Sequence, residues 1–106
     1  MSSTGGKVSV NLGNGNNYVY VEEATSIKVL TGTGHDSIYA EYASKASING
    51  GGGNDSLYAY EVGNLSMNGG LGNDTLYAEY GDVAHVVGGG GNDSIAVYYY
   101  YSPYNP

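Results

Sequence analysis

Gly50-Gly51-Gly52-Gly53-Asn54-Asp55-Ser56-Leu57-Tyr58 decides how this chain is read, because the same nine-residue pattern returns at a fixed stride. It recurs as Gly69-Gly70-Leu71-Gly72-Asn73-Asp74-Thr75-Leu76-Tyr77 and as Gly88-Gly89-Gly90-Gly91-Asn92-Asp93-Ser94-Ile95-Ala96. Thr31-Gly32-Thr33-Gly34-His35-Asp36-Ser37-Ile38-Tyr39 lacks only the first glycine, and Gly13-Asn14-Gly15-Asn16-Asn17 is a degenerate first copy. The step from Asn17 to Asp36, Asp55, Asp74 and Asp93 is 19 residues each time, with no insertion. Such self-similarity predicts a stacked architecture, a solenoid in which every copy occupies an equivalent place.

Working outward from the loop, each repeat reads as loop, strand, corner, strand. In the first strand, Val19, Ile38, Leu57, Leu76 and Ile95 share one column and Val21, Ala40, Ala59, Ala78 and Val97 another. Side chains alternate across a strand, so both columns face inward. Outward columns hold Tyr20, Tyr39, Tyr58 and Tyr77, then Glu22, Glu41, Tyr60, Glu79 and Tyr98. The second strand sets Ile27, Ala46, Leu65 and Ala84 beside Val29, Ile48, Met67 and Val86, and small residues in half of these positions predict two sheets with a thin core. The corners, such as Tyr60–Asn64 and Tyr80–Asp82, carry no recurring carboxylate loop, so the two edges of the stack should differ. The expected fold is an all-β solenoid of about five 19-residue turns, with residues 12–97 as its repeats.

Both flanks depart from the pattern. Lys7–Val10 alternates as a strand does, and one period added to Val8 and Val10 gives Ile27 and Val29, so residues 1–11 read as the second half of a turn. Residues 98–106 read as a Tyr/Pro-rich tail in which Pro103 and Pro106 remove ladder donors where a second strand is due.

Composition narrows the chemistry. The 106 residues hold 19 glycines without a collagen triplet, no cysteine, no Phe and no Trp, so neither disulfides nor thiolate metal sites support the fold. A formal charge of −7 makes nucleic acid a poor partner. No apolar run approaches the roughly 18 residues of a membrane span, and Met1–Lys7 lacks the apolar segment of a signal peptide. Stacking would bring the repeated acids within a few ångströms of one another, and like charges so placed require cations. Glycine loops let the backbone turn carbonyl oxygens toward a hard cation, and one loop offers too few oxygens for the 6–8 ligands that calcium takes. Two adjacent turns must share an ion, so metal binding and folding should be one event. A carbonyl-rich cage suits calcium better than magnesium. The contrary reading, glycine turns that bind nothing, leaves four aspartates at one repeat position unexplained.

The loops resemble the hemolysin-type calcium-binding, or RTX, nonapeptide, Gly-Gly-x-Gly-x-Asp-x-U-x with U a large aliphatic residue. The resemblance covers residues 12–97 and implies a parallel β-roll that holds calcium between successive turns through glycine carbonyls and paired carboxylates. By residue it points to Gly32, Gly34, Gly51, Gly53, Gly70, Gly72, Gly89 and Gly91, with ions shared between Asp36 and Asp55, Asp55 and Asp74, and Asp74 and Asp93. A fourth site, between Asn17 and Asp36, should be weaker for want of one carboxylate. The family has nine-residue units with loops at both edges, whereas this chain has one loop per 19 residues, which predicts one row of ions.

No Ser-His-Asp order, paired-acid constellation or phosphate loop is present, and the expectation is a protein that is not an enzyme. His35 and His85 read as surface residues, and the sequons at Asn54, Asn73 and Asn92 belong to the calcium consensus. Two functions compete. In the first, an extracellular structural subunit joins head to tail, Val8 and Val10 of one copy completing the turn of Ile95 and Val97 in another, with the Tyr20, Tyr39, Tyr58 and Tyr77 ladder as a lateral contact surface and the proline tail as a clasp. In the second, a secreted monomer folds in response to calcium. The resemblance suggests export by a type I route without an N-terminal signal.

Overall fold

The computed structural model describes residues 6–102, and all of its regular structure is strand: β1 (Lys7–Asn11), β2 (Tyr18–Leu30), β3 (Ser37–Asn49), β4 (Ser56–Asn68), β5 (Thr75–Val87) and β6 (Ser94–Ser102). The six form one parallel sheet in chain order. Register follows the 19-residue stride throughout, for example Val19↔Ile38, Ile38↔Leu57 and Leu57↔Leu76. β1 pairs with the second half of β2, Val8 on Ile27 and Val10 on Val29, as the added period predicts. The chain is therefore an all-parallel β-solenoid of about five turns, a slab 30 × 29 × 15 Å. Among the described residues no helix is long and apolar enough to cross a membrane.

The corner differs from the loop–strand–corner–strand reading. Each 13-residue strand runs through it unbroken, bent at one residue with positive φ: Glu23 (61°), Tyr42 (57°), Glu61 (53°) and Tyr80 (64°). None is glycine or asparagine, so the left-handed conformation strains each bend and is held by the ladders on either side. The bend shifts the inward alternation by one and adds a further inward column between the two halves, Ala24, Ala43 and Val62. The core lies between the two halves of the bent strands and includes Ile27, Ile38, Ile48, Leu57, Met67 and Leu76, each at most 1% exposed. β6 also runs further than Val97, pairing Gly81↔Tyr100 and Val83↔Ser102. Pro103, Pro106 and the residues before Gly6 lie outside the described residues.

On the outer surface of the first halves, Tyr39 stacks on Tyr58 at 4.9 Å and Tyr58 on Tyr77 at 5.1 Å, close to the strand spacing. Tyr20 lies 6.2 Å from Tyr39 and donates its hydroxyl to Glu41 Oε1 at 2.8 Å. That bond to a carboxylate, with burial, pushes the Tyr20 phenol up to about 12.

Candidate metal centre

The loops between strands stack along one edge, and glycine is required there by both conformation and space. Gly34, Gly53, Gly72 and Gly91 have φ between 91° and 113°, and a Cβ on any of them would strike the backbone of the loop before it. Side chains knit the stack in two opposed ladders. In one, each backbone N–H donates to the carboxylate of the next turn: Asn17 to Asp36 Oδ1 (2.8 Å), Asp36 to Asp55 Oδ1 (2.9 Å), Asp55 to Asp74 Oδ1 (2.8 Å) and Asp74 to Asp93 Oδ1 (2.9 Å). In the other, one residue earlier, the N–H donates backwards: His35 to Asn16 Oδ1, Asn54 to His35 Nδ1, Asn73 to Asn54 Oδ1 and Asn92 to Asn73 Oδ1. His35 is thus exposed yet a member of the ladder, substituting a ring nitrogen for an amide oxygen. Asn49 and Asn68 cap the loop entrance through Oδ1, accepting from Gly51 and Gly70 N–H.

The second carboxylate oxygen has no such partner. Oδ2 of Asp36, Asp55 and Asp74 is buried without a hydrogen bond, and the three residues are at most 3% exposed. The Oδ2 atoms of Asp55 and Asp74 lie close against Gly50 and Gly69, where a Cβ would approach within 2.8 and 2.6 Å. Burial first, then the charges of Asp74 and Asp36, push the Asp55 carboxyl up to about 7, against the backbone N–H of Asp36, which pulls it down. Asp74 is raised by burial and by Asp93.

Asn17 occupies the same repeat position in the first loop and shows what this position demands. Its amide donates to Gly13 O at 3.0 Å and to Gly15 O at 3.1 Å. Loop carbonyls thus converge on the side chain at this position, and in the first copy they meet positively polarised hydrogens. In the later copies the side chain offers only acceptor oxygens. Acceptors facing acceptors in a buried site fit a cation between them. No cluster of three or more His, Asp or Glu side chains forms among the described residues, so a cage here draws heavily on backbone carbonyls. That donor set suits a hard, oxygen-seeking ion.

A parallel roll with carbonyl-rich glycine loops and unpaired acids stacked along one edge has the form of a cation-stabilised β-roll. The chain carries the RTX calcium-binding nonapeptide repeat: that family matches it in four copies, over residues 47–61, 66–82 and 85–96. RTX repeats bind calcium as a family, and the match supports reading these loops as a calcium-binding module. No curated protein and no solved structure matches it.

Two outcomes are expected at this centre. The folded, metal-free chain holds Asp55 and Asp74 above their unfolded values near 3.9, so between about pH 4 and 7 it binds more protons than the unfolded chain. Its stability is then greatest below that window and falls as pH rises through it. Circular dichroism in metal-depleted buffer should show more strand at about pH 5 than at about pH 8; equal or reversed content contradicts this. Separately, Asn17→Asp replaces the amide that donates to Gly13 O and Gly15 O with a carboxylate. It should turn the weak fourth site expected between Asn17 and Asp36 into one as tight as the others, raising the number of tightly bound calcium ions in titration calorimetry by one; an unchanged number contradicts the role given to that amide.

Proposed function

We propose that this chain is an extracellular structural module that becomes rigid on taking up calcium and whose copies stack head to tail into a filament. The residues that would hold calcium are the carboxylates of the Asp36 and Asp55, Asp55 and Asp74, and Asp74 and Asp93 loops, with glycine carbonyls that include Gly32, Gly34, Gly51, Gly53, Gly70, Gly72, Gly89 and Gly91. Calcium, when bound, supplies the positive charge that stacked carboxylates lack. The loops contribute the rest: glycine φ angles aim the carbonyls, and each Asp is fixed by the N–H of the turn before it.

The observation that carries the filament reading is Ile95. Its column mates Ile38, Leu57 and Leu76 are at most 1% exposed, yet Ile95 is 47% exposed at the open end of the stack, with Val97 only partly buried beside it. An inward core position left open is what a following turn covers, and a second copy offers one of the same width and register, with Val8 and Val10 continuing the second half. Such a contact is heterologous and does not close. Light scattering in calcium should give assemblies that grow with concentration and dissolve on chelation. Ile95→Asp should leave the fold and abolish growth. Wild-type chains that stay monomeric in calcium at high concentration overturn the filament and leave the monomeric calcium-responsive module.

A further inference from the structure

The two broad faces of the slab carry opposite charge. All three lysines of the chain project from the second halves of the strands: Lys7 and Lys45 share one outward column with Ser26 and Asn64, and Lys28 lies in the next with Ser9, Ser47, Ser66 and His85. No acid occupies any outward position of that face, Lys7 through Asn11 and its equivalents at residues 26–30, 45–49, 64–68 and 83–87. The opposite face, built from the first halves, has the reverse composition. Its outward columns hold Glu22, Glu41 and Glu79 beside the tyrosine stack and no base. The other acids stand on the edges, Glu23, Glu61 and Asp82 at the corners and the aspartates in the loops.

Shape follows charge. The lysine face has a shallow trough of about 500 Å³ with an apolar floor that includes Ile27 and Leu65 and a polar rim that includes Lys28, Lys45, Ser47 and Asn64. The acidic face has a ridge of stacked rings, Tyr20, Tyr39, Tyr58 and Tyr77, running along the stack with Glu22, Glu41 and Glu79 at its flank. The slab is 30 × 29 Å across its broad directions, room for the roughly 800 Å² that a stable interface covers on each partner.

The geometry points to a lateral contact between two copies of this chain, the tyrosine ridge and glutamates of one set into the lysine trough of the other. A second copy is the favoured occupant because the chain itself supplies the complement: a trough with a cationic rim and an apolar floor, and an anionic aromatic ridge, on opposite sides, repeating at one stride. Like the axial stack this contact is heterologous, so successive copies face the same way and form an open stack, and together with the axial contact a sheet. It uses different surfaces from the axial contact at Ile95 and does not depend on it.

Zero-length carbodiimide coupling tests it, joining a lysine amine to a carboxylate as an amide with loss of water. A mixture of light and heavy-nitrogen chains in calcium marks intermolecular products, and the Ile95→Asp chain is run beside the wild type so that failure of axial stacking is seen separately. The expected result in both is mixed-isotope peptides joining Lys28 or Lys45 to Glu22, Glu41 or Glu79, lost at about 1 M salt, where the screening length is about 3 Å. Lys28→Glu with Lys45→Glu should abolish these products as acceptor face, and mixing that variant with Glu41→Lys, Glu79→Lys chains should restore coupling between the two. Products confined to corner or loop acids, or none in folded chains, overturn the proposal.

Discussion

The chain bearing Asp36→Asn, Asp55→Asn and Asp74→Asn together should fold without calcium and no longer respond to it. Each substitution keeps the Oδ1 that accepts the N–H of the turn before. Each replaces the buried, partnerless Oδ2 with an NH2 that can do what the Asn17 amide does, donate to two carbonyls of its own loop. An uncompensated buried charge costs several kcal/mol, so removing three should favour the metal-free roll by more than any surface change could. The same three positions changed to Ala lose the acceptor as well and orphan three N–H groups, so that chain should be unstable with or without calcium. Far-ultraviolet circular dichroism in chelator separates the cases. A triple Asn chain that is unfolded in chelator, or that still folds only on calcium addition, contradicts the role given to the carboxylates.

Gly53→Ala should be nearly as damaging, for a steric reason. Gly53 has φ of 94°, and a Cβ there would collide with the Gly34 carbonyl, whose carbon would lie 2.7 Å away. Loops cannot then stack at strand spacing, and the strain of the left-handed conformation adds to the overlap, for a loss of about 3 kcal/mol or more. Gly52 is the control. A Cβ there meets only Thr33 Cγ2, at 3.5 Å, so Gly52→Ala should be almost neutral. Urea unfolding in calcium reads the difference, and equal midpoints for the two variants would refute the close approach of successive loops.

Much of this architecture was legible because the repeat is strict. Asp at one position every 19 residues locates the loops, and the Ile38, Leu57, Leu76 column locates the inward face, since a parallel in-register stack places equivalent residues directly on one another. The corner was not legible. Glu23, Tyr42, Glu61 and Tyr80 adopt positive φ without being the residue types that signal it, and the bend puts Ala24, Ala43 and Val62 inward out of phase with the alternation before it. Within the loops, composition gave the acids and glycines but not their division of labour. Which carboxylate oxygen meets the neighbouring N–H depends on three-dimensional facing, as does the reversal of donor direction between the Asp column and the Asn16, His35, Asn54, Asn73 column. Asn17 carried a signal in retrospect, being the one copy in which the side chain can donate as well as accept.

The central claim is that stacked, buried carboxylates keep the metal-free chain at neutral pH from closing into its roll, and that calcium lifts this block. Far-ultraviolet circular dichroism of the wild-type chain, first in chelator and then through a calcium titration at neutral pH, tests it most directly. The account predicts little strand signal in chelator and a cooperative rise to a fully stranded spectrum on titration. A chain that is already fully stranded in chelator and unchanged by calcium would contradict it.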